Sequence, residues 1–205
     1  MQRLKDKVVP YKNKWINVHL NTIDKSKDFY LYVTLHNEKD NMFNNIGHLG
    51  IKYEASGLWK IMDFEINRQY RGQNYGLAMF SEALTGIRLL NKEKDVYVYG
   101  EIPNIYIGDS NKYQTITESK DYCKLKEFYQ NINFDFINDK KFYKQLNVTS
   151  ISEWQENIQK VMEIKDLKIE IAFKDIILES YEKEMSELKS SILGRYIIKR
   201  VENKS

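Results

Sequence analysis

Apolar residues of the first third of the chain fall in four short blocks, 14–20, 29–35, 46–53 and 59–66, each rich in β-branched or aromatic side chains. Clusters of Asn, Asp, Gly and Ser separate them, which predicts a run of antiparallel strands. The period then changes. Leu77, Phe80, Leu84 and Ile87 recur at helical spacing, and 95–102, with Val96, Tyr97, Val98 and Tyr99 in unbroken succession, predicts a strand buried on both faces. Strand, helix and strand in that order predict a parallel pair joined by a crossover helix.

Residues 103–120 carry no period and are rich in Asn, Ser and Thr, which marks a long surface loop able to act as a lid. Tyr122, Leu125, Tyr129 and Ile132 form the stripe of a short helix, and 134–137 returns as a strand. The expected fold is α+β, a mixed and mostly antiparallel sheet with flanking helices in residues 1–148, followed by a helical extension in 149–205. Ser150 or Ser152 can cap that extension, with Ile151, Trp154, Ile158 and Val161 as its first apolar face. Ile164, Leu167, Ile171, Lys174, Leu178, Tyr181, Met185, Leu188 and Ile192 then alternate by three and four, a heptad seam with Lys174 as its one misfit and Gly194 as its stop. Because Phe173, Ile176 and Ile177 widen the apolar face, the pattern fits equally a helix packed on its own domain and a coiled coil with a homodimer mate or partner helix through 164–192.

Composition narrows the class. A chain of 205 residues can build a core that needs no staple, and its single cysteine, Cys123, excludes an intrachain disulfide. With a charged N-terminus in place of an apolar signal core, this predicts a cytoplasmic protein. No apolar run approaches a membrane span, and a net charge of +3 from 32 basic and 29 acidic residues asks for no nucleic acid. The basic stretch Arg3, Lys5, Lys7, Lys12 and Lys14 reads as a solvated face. His19, His36 and His48 lie far apart with no second ligand at metal spacing, so no metal site is expected. Cys123 reads as a small buried side chain.

The chemistry-bearing segment is 61–78. A strand ends at Ile66, a turn holds Arg71, Gly72, Gln73, Asn74 and Tyr75, and Gly76 opens a helix. Such a turn can aim several backbone N–H groups into one concavity at a helix N-terminus, where the macrodipole favours an anion such as a pyrophosphate. Gly72 and Gly76 lack the Cβ that close approach forbids, and Asn74 tolerates a left-handed backbone.

Arg71-Gly72-Gln73-Asn74-Tyr75-Gly76 resembles the cofactor motif of the Gcn5-related N-acetyltransferases (GNAT), with Asn74 in place of its second glycine. The stretch 127–134 is similar to the same family's Phe-Tyr-x-x-x-Gly-Phe signature, with Phe128, Tyr129 and Phe134 in place and Asn133 where glycine stands. The resemblance covers roughly 46–137. It implies that the backbone of Ile66 and of Arg71 through Gly76 binds acetyl-CoA, that the strands around 61–66 and 96–102 splay to admit its pantetheine, and that an acetyl group passes directly to an amine acceptor. Tyr129 then donates a proton to the departing sulfur, while also fitting the core stripe. Glu65, with Asp63 two residues away on the same strand face, is the candidate base acting through water. Glu101 and Asn104 are lesser candidates for orienting the acyl group or acceptor.

Members of the family place helices between their first two strands, yet only 21–28 separates the blocks here. An open acceptor side suits a protein or another extended substrate. The competing reading is a catalytically inactive GNAT-fold interaction module whose heptad helix binds a partner or dimerises, on the ground that Asn74 and Asn133 replace glycines.

Overall fold

The computed structural model describes residues 7–22, 29–39, 45–103 and 119–191. The expected lid at 103–120, Asn104, Arg3, Lys5, Ile192 and Gly194 fall outside these residues, apart from the loop's ends. Five strands, β1 (Lys7–Tyr11), β2 (Lys14–Thr22), β3 (Phe29–His36), β4 (Asn45–Tyr53) and β5 (Leu58–Ile66), pair antiparallel in sequence order. Helix α1 (Tyr75–Leu90) then crosses to β6 (Asp95–Glu101), which lies parallel to β5. Helix α2 (Lys120–Asn131) leads to β7 (Asp135–Phe136) and β8 (Lys141–Asn147), and β8 pairs antiparallel with β6. The described strands form one sheet in the order β1-β2-β3-β4-β5-β6-β8-β7. This is the mixed, mostly antiparallel α+β arrangement that the GNAT resemblance implies.

Alternation along the strands decides which face is covered. Leu31, Val33, Leu49 and Ile51 are wholly buried on the face that receives Met79, Phe80, Leu84 and Ile87 of α1. Gly86 permits the contact, since a Cβ there would stand 2.7 Å from Leu31 Cδ2. Strands β1 and β8 were not anticipated from the sequence. Pro10 interrupts the period of β1, yet an edge strand tolerates a missing N–H. Lys141 and Lys144 mask β8, whose Phe142 is buried.

Helix α3 (Ile151–Ser190) follows directly on β8 and a tight turn at Val148–Ser150. The chain forms two compact units, Met1–Met162 and Glu163–Ser205. The first therefore carries the opening turns of α3, past residue 148. Ile151, Trp154 and Ile158 explain this, being at most 4% exposed. Trp154 donates Nε1–H to the Ile132 carbonyl at 2.6 Å and meets Phe80 and Phe134 edge-on. The described part of the second unit is helical, and Ile164, Leu167, Ile171, Leu178 and Tyr181 there are each more than half exposed. Among the described residues no helix is long and apolar enough to cross a membrane.

Candidate functional site

Strand β5 changes its facing midway. Ile51 pairs with Ile61 while Gly50 pairs with Asp63, so Met62 is an extra residue, a β-bulge. Before it, Trp59 and Ile61 face the core; beyond it, Phe64 and Ile66 do so, and Asp63 and Glu65 share the opposite face with His48. The parallel ladder joins β5 to β6 only at Leu58–Tyr97, Trp59–Val98 and Lys60–Tyr99. Past these pairs the strands part, as the resemblance implies. A cleft of about 110 Å³ occupies the gap, lined by the polar His48, Asp63, Glu65 and Glu101 and by Pro103, Ile61, Phe64, Leu125 and Tyr129.

His48 lies directly across the ladder from Glu65, and its Nε2 is 3.2 Å from Asp63 Oδ2. The hydrogen bond to Asp63 holds His48 above its ordinary value of 6.5 against partial burial, and the charges of Asp63 and Glu65 add to the effect. The same bond holds the Asp63 carboxyl below its ordinary 3.8, outweighing its desolvation, and a backbone hydrogen bond from Gly50 contributes. Asp63 is thereby a weaker proton acceptor than an unengaged carboxylate. Tyr99, at the last parallel pair, donates to Glu54 and is pushed up to about 12, chiefly by burial and then by that carboxylate.

The turn leaving β5 is built for close approach. Arg71 folds back so that its Nε–H donates to the Ile66 carbonyl at 2.7 Å, with Asp121 3.8 Å from its guanidinium. Gly72 has φ +81°, and a Cβ there would meet nothing within 4 Å, so the turn is open at that point. Asn74 takes the left-handed backbone, φ 66° and ψ 3°, in place of the motif's glycine. The first bond of α1 runs from Ala78 N–H to the Asn74 carbonyl at 3.0 Å. The N–H groups of Tyr75, Gly76 and Leu77 therefore precede the helical ladder, at the positive end of the dipole. Gly76 is needed for packing, because a Cβ would lie 3.0 Å from Phe64 Cζ and 3.2 Å from Ile66 Cδ1.

Two connections hold this turn that its sequence does not disclose. Asn74 Nδ2 donates to the Met162 carbonyl of α3 at 2.9 Å. On the other flank the β1–β2 hairpin closes in, with Tyr75 donating to Asn13 at 2.7 Å and Lys12 Nζ 3.3 Å from the Gln73 carbonyl. The basic N-terminal residues at 12 and 14 thus border the turn, Lys14 resting 5.3 Å over the Tyr70 ring.

Tyr129 reaches the cleft from α2 and is 3% exposed, stacked on Phe142 with centroids 3.8 Å apart. It belongs to the core stripe and to the cleft wall together. Helix α2 ends in a Schellman motif: Phe134 N–H bonds the Tyr129 carbonyl at 3.0 Å and Asn133 N–H bonds the Gln130 carbonyl at 2.9 Å. Asn133 occupies the left-handed position, φ 64°, so here too asparagine adopts the conformation for which the motif uses glycine.

Of the residues anticipated from sequence, Asp63, Glu65, Glu101 and Tyr129 meet at the cleft, while Ile66 and Arg71 through Gly76 form the turn at the mouth of α1. Cys123 is corrected: it is exposed, on the outer side of α2. His48 was missed, because only the β4–β5 register brings it to the two carboxylates. No protein-family model matches the chain and no curated protein matches it. Among solved structures, an acetyltransferase of the GNAT family from Staphylococcus aureus is similar over 58% of this chain and 68% of its own, at 11% identity and a TM-score of 0.40. An aminoglycoside 6'-N-acetyltransferase complexed with coenzyme A matches over 58% and 73%, at 11% identity and a TM-score of 0.38. A spermidine/spermine N-acetyltransferase from Vibrio cholerae matches over 63% and 72%, at 12% identity and a TM-score of 0.38.

Proposed function

We propose that this protein is an N-acetyltransferase that moves an acetyl group from acetyl-CoA to an amine by direct attack. The observation that carries the reading is the parting of β5 from β6, with Asp63, Glu65 and Tyr129 lining the gap and a turn with free space at Gly72 at the end of β5. The N–H groups of Gly72 through Gly76 would hold the pyrophosphate, and the gap would take the pantetheine. The bound thioester supplies the acetyl group and a thiolate leaving group. An alkyl amine, with an ordinary pKa of about 10.4, must shed a proton as its lone pair forms the C–N bond. Glu65 accepts that proton through a water, and the Tyr129 hydroxyl protonates sulfur as the C–S bond breaks, leaving an amide and free CoA. Asp63 holds His48 and keeps the mouth of the cleft charged.

Six residues, 23–28, separate the described parts of β2 and β3, too few for a helical layer over the acceptor side. This supports an extended or macromolecular amine, such as a protein, as acceptor. Asn74 and Asn133 both take the left-handed backbone that the motifs use, which supports a working site over an inactive module.

Calorimetric titration with acetyl-CoA tests the donor site. Gly72→Glu places a carboxylate in the open turn without a packing clash, costs about 1–2 kcal/mol for its left-handed backbone, and should abolish binding while the protein stays folded. Equal binding by the variant, or none by the native protein, overturns the donor site. With an amine panel and thiol release as the readout, Glu65→Gln should lower kcat at least about 100-fold.

A further inference from the structure

We infer that residues 163–190 form a parallel two-stranded coiled coil with the same segment of a second copy of this chain. The helix spans this stretch without a break. Its a positions are Ile164, Ile171, Leu178 and Met185, between 49% and 57% exposed. At d stand Leu167, Lys174, Tyr181 and Leu188, of which the three apolar ones are 44% to 62% exposed. A helix owes most of its stability in water to the burial of one face, and this seam runs uncovered for four heptads.

Charge selects the occupant and its direction. In a parallel pair each g position faces the next e position of the other helix, which sets Glu163 against Lys168 and Glu184 against Lys189. Ile177 faces Glu182 without a charge pairing, and the remaining pair, Glu170 with Asp175, is like-charged. Lys174 answers it: its Nζ lies 2.7 Å from Glu170 Oε1 in its own helix, and from a d position it reaches Asp175 of the second helix. The one misfit of the seam and the one like-charged g–e pair thus neutralise each other only when two copies run parallel. An antiparallel pair would set g against g, and three of the four g positions, Glu163, Glu170, Ile177 and Glu184, are acidic. Branched Ile at a with Leu at d in the first heptad favours two strands, and a lysine at d resists the fuller enclosure of a larger bundle.

Sedimentation equilibrium of the full chain should give a dimer whose dissociation is concentration-dependent. Ile171→Asp with Leu178→Asp should give a monomer with unchanged acetyl-CoA binding and melting of the first unit. In a Cys123→Ser background, Met185→Cys should form an intermolecular disulfide under mild oxidation, because like a positions meet only in a parallel pair. A monomeric native chain, an assembly of three or more copies, a double variant that still dimerises, or a Met185→Cys protein that fails to cross-link overturns the inference.

Discussion

Gly50 stands opposite Asp63 on the ladder, and a Cβ built there would lie 2.2 Å from Asp63 Oδ1 and 3.3 Å from its Cγ. Gly50→Ala must therefore drive the carboxylate from its seat against β4 and away from His48. The side chains of the pair are 34% and 51% exposed, so solvent screening limits the loss to about 0.2–1 kcal/mol. Alanine in place of a strand glycine returns roughly 0.5–1 kcal/mol through the unfolded chain, so the two effects nearly cancel. The melting temperature should move by no more than about 4 °C. What changes is the titration of His48. With its largest raising influence removed, its pKa should fall toward its ordinary value of 6.5, read by NMR of the ring across the native protein and the variant. The pH dependence has a definite sign. His48, raised on folding, stabilises fully below 6.5 and loses its contribution as pH rises through its folded value; Asp63, lowered, stabilises fully above 3.8 and loses its contribution as pH falls through its folded value. The pair's contribution to the native protein relative to Gly50→Ala should be greatest between those two ordinary values and fall away at either side. A His48 titration identical in the two proteins would refute the account of Gly50 as the seat of Asp63.

Tyr129→Phe keeps the stack on Phe142 and should melt near the native temperature, yet lower kcat by about 100-fold or more if the hydroxyl protonates sulfur; unchanged turnover with the best amine would remove Tyr129 from the chemistry. Asn133→Gly should be close to neutral, whereas Asn133→Ala should cost about 1–2 kcal/mol for its left-handed backbone, measured as a shift of the urea midpoint at constant slope. Equal midpoints for the two variants would contradict the helix-end geometry. Trp154→Ala should cost about 3–5 kcal/mol, since the ring is 4% exposed and bonds the Ile132 carbonyl; a loss under about 1 kcal/mol would show that the opening turns of α3 are not part of the first unit's core.

The strands legible in the sequence are those whose apolar period is uninterrupted. Blocks 14–20, 29–35, 46–53 and 59–66 became β2 to β5 with ends moved by two residues or fewer, and α1 and β6 lie where the change of period puts them. Strands β1 and β8 escaped because Pro10 and the lysines of β8 break an alternation that only pairing completes. The turn at 71–76 was legible because its residues are local to one another. His48 was not, for its partnership with Asp63 depends on the β4–β5 register, which a bulge at Met62 offsets by one residue. Asn74 reads from sequence as a flawed glycine, and only the fold discloses the Met162 carbonyl that its side chain meets.

The extra residue in β5 has a consequence for how this protein could diversify. Were the strand regular, Asp63 and Glu65 would point where Ile61 points, into the hydrophobic interior, and any change of polar group would threaten the fold itself. With Met62 bulged out of the ladder, the first half of the strand serves as a structural wall and the second half turns its polar side chains outward, away from the core contacts of Phe64 and Ile66. Position 63 can accept new residues with little effect on the core, so the cleft wall there could change one substitution at a time. A register shift that drew Met62 into the ladder would end that freedom in a single step.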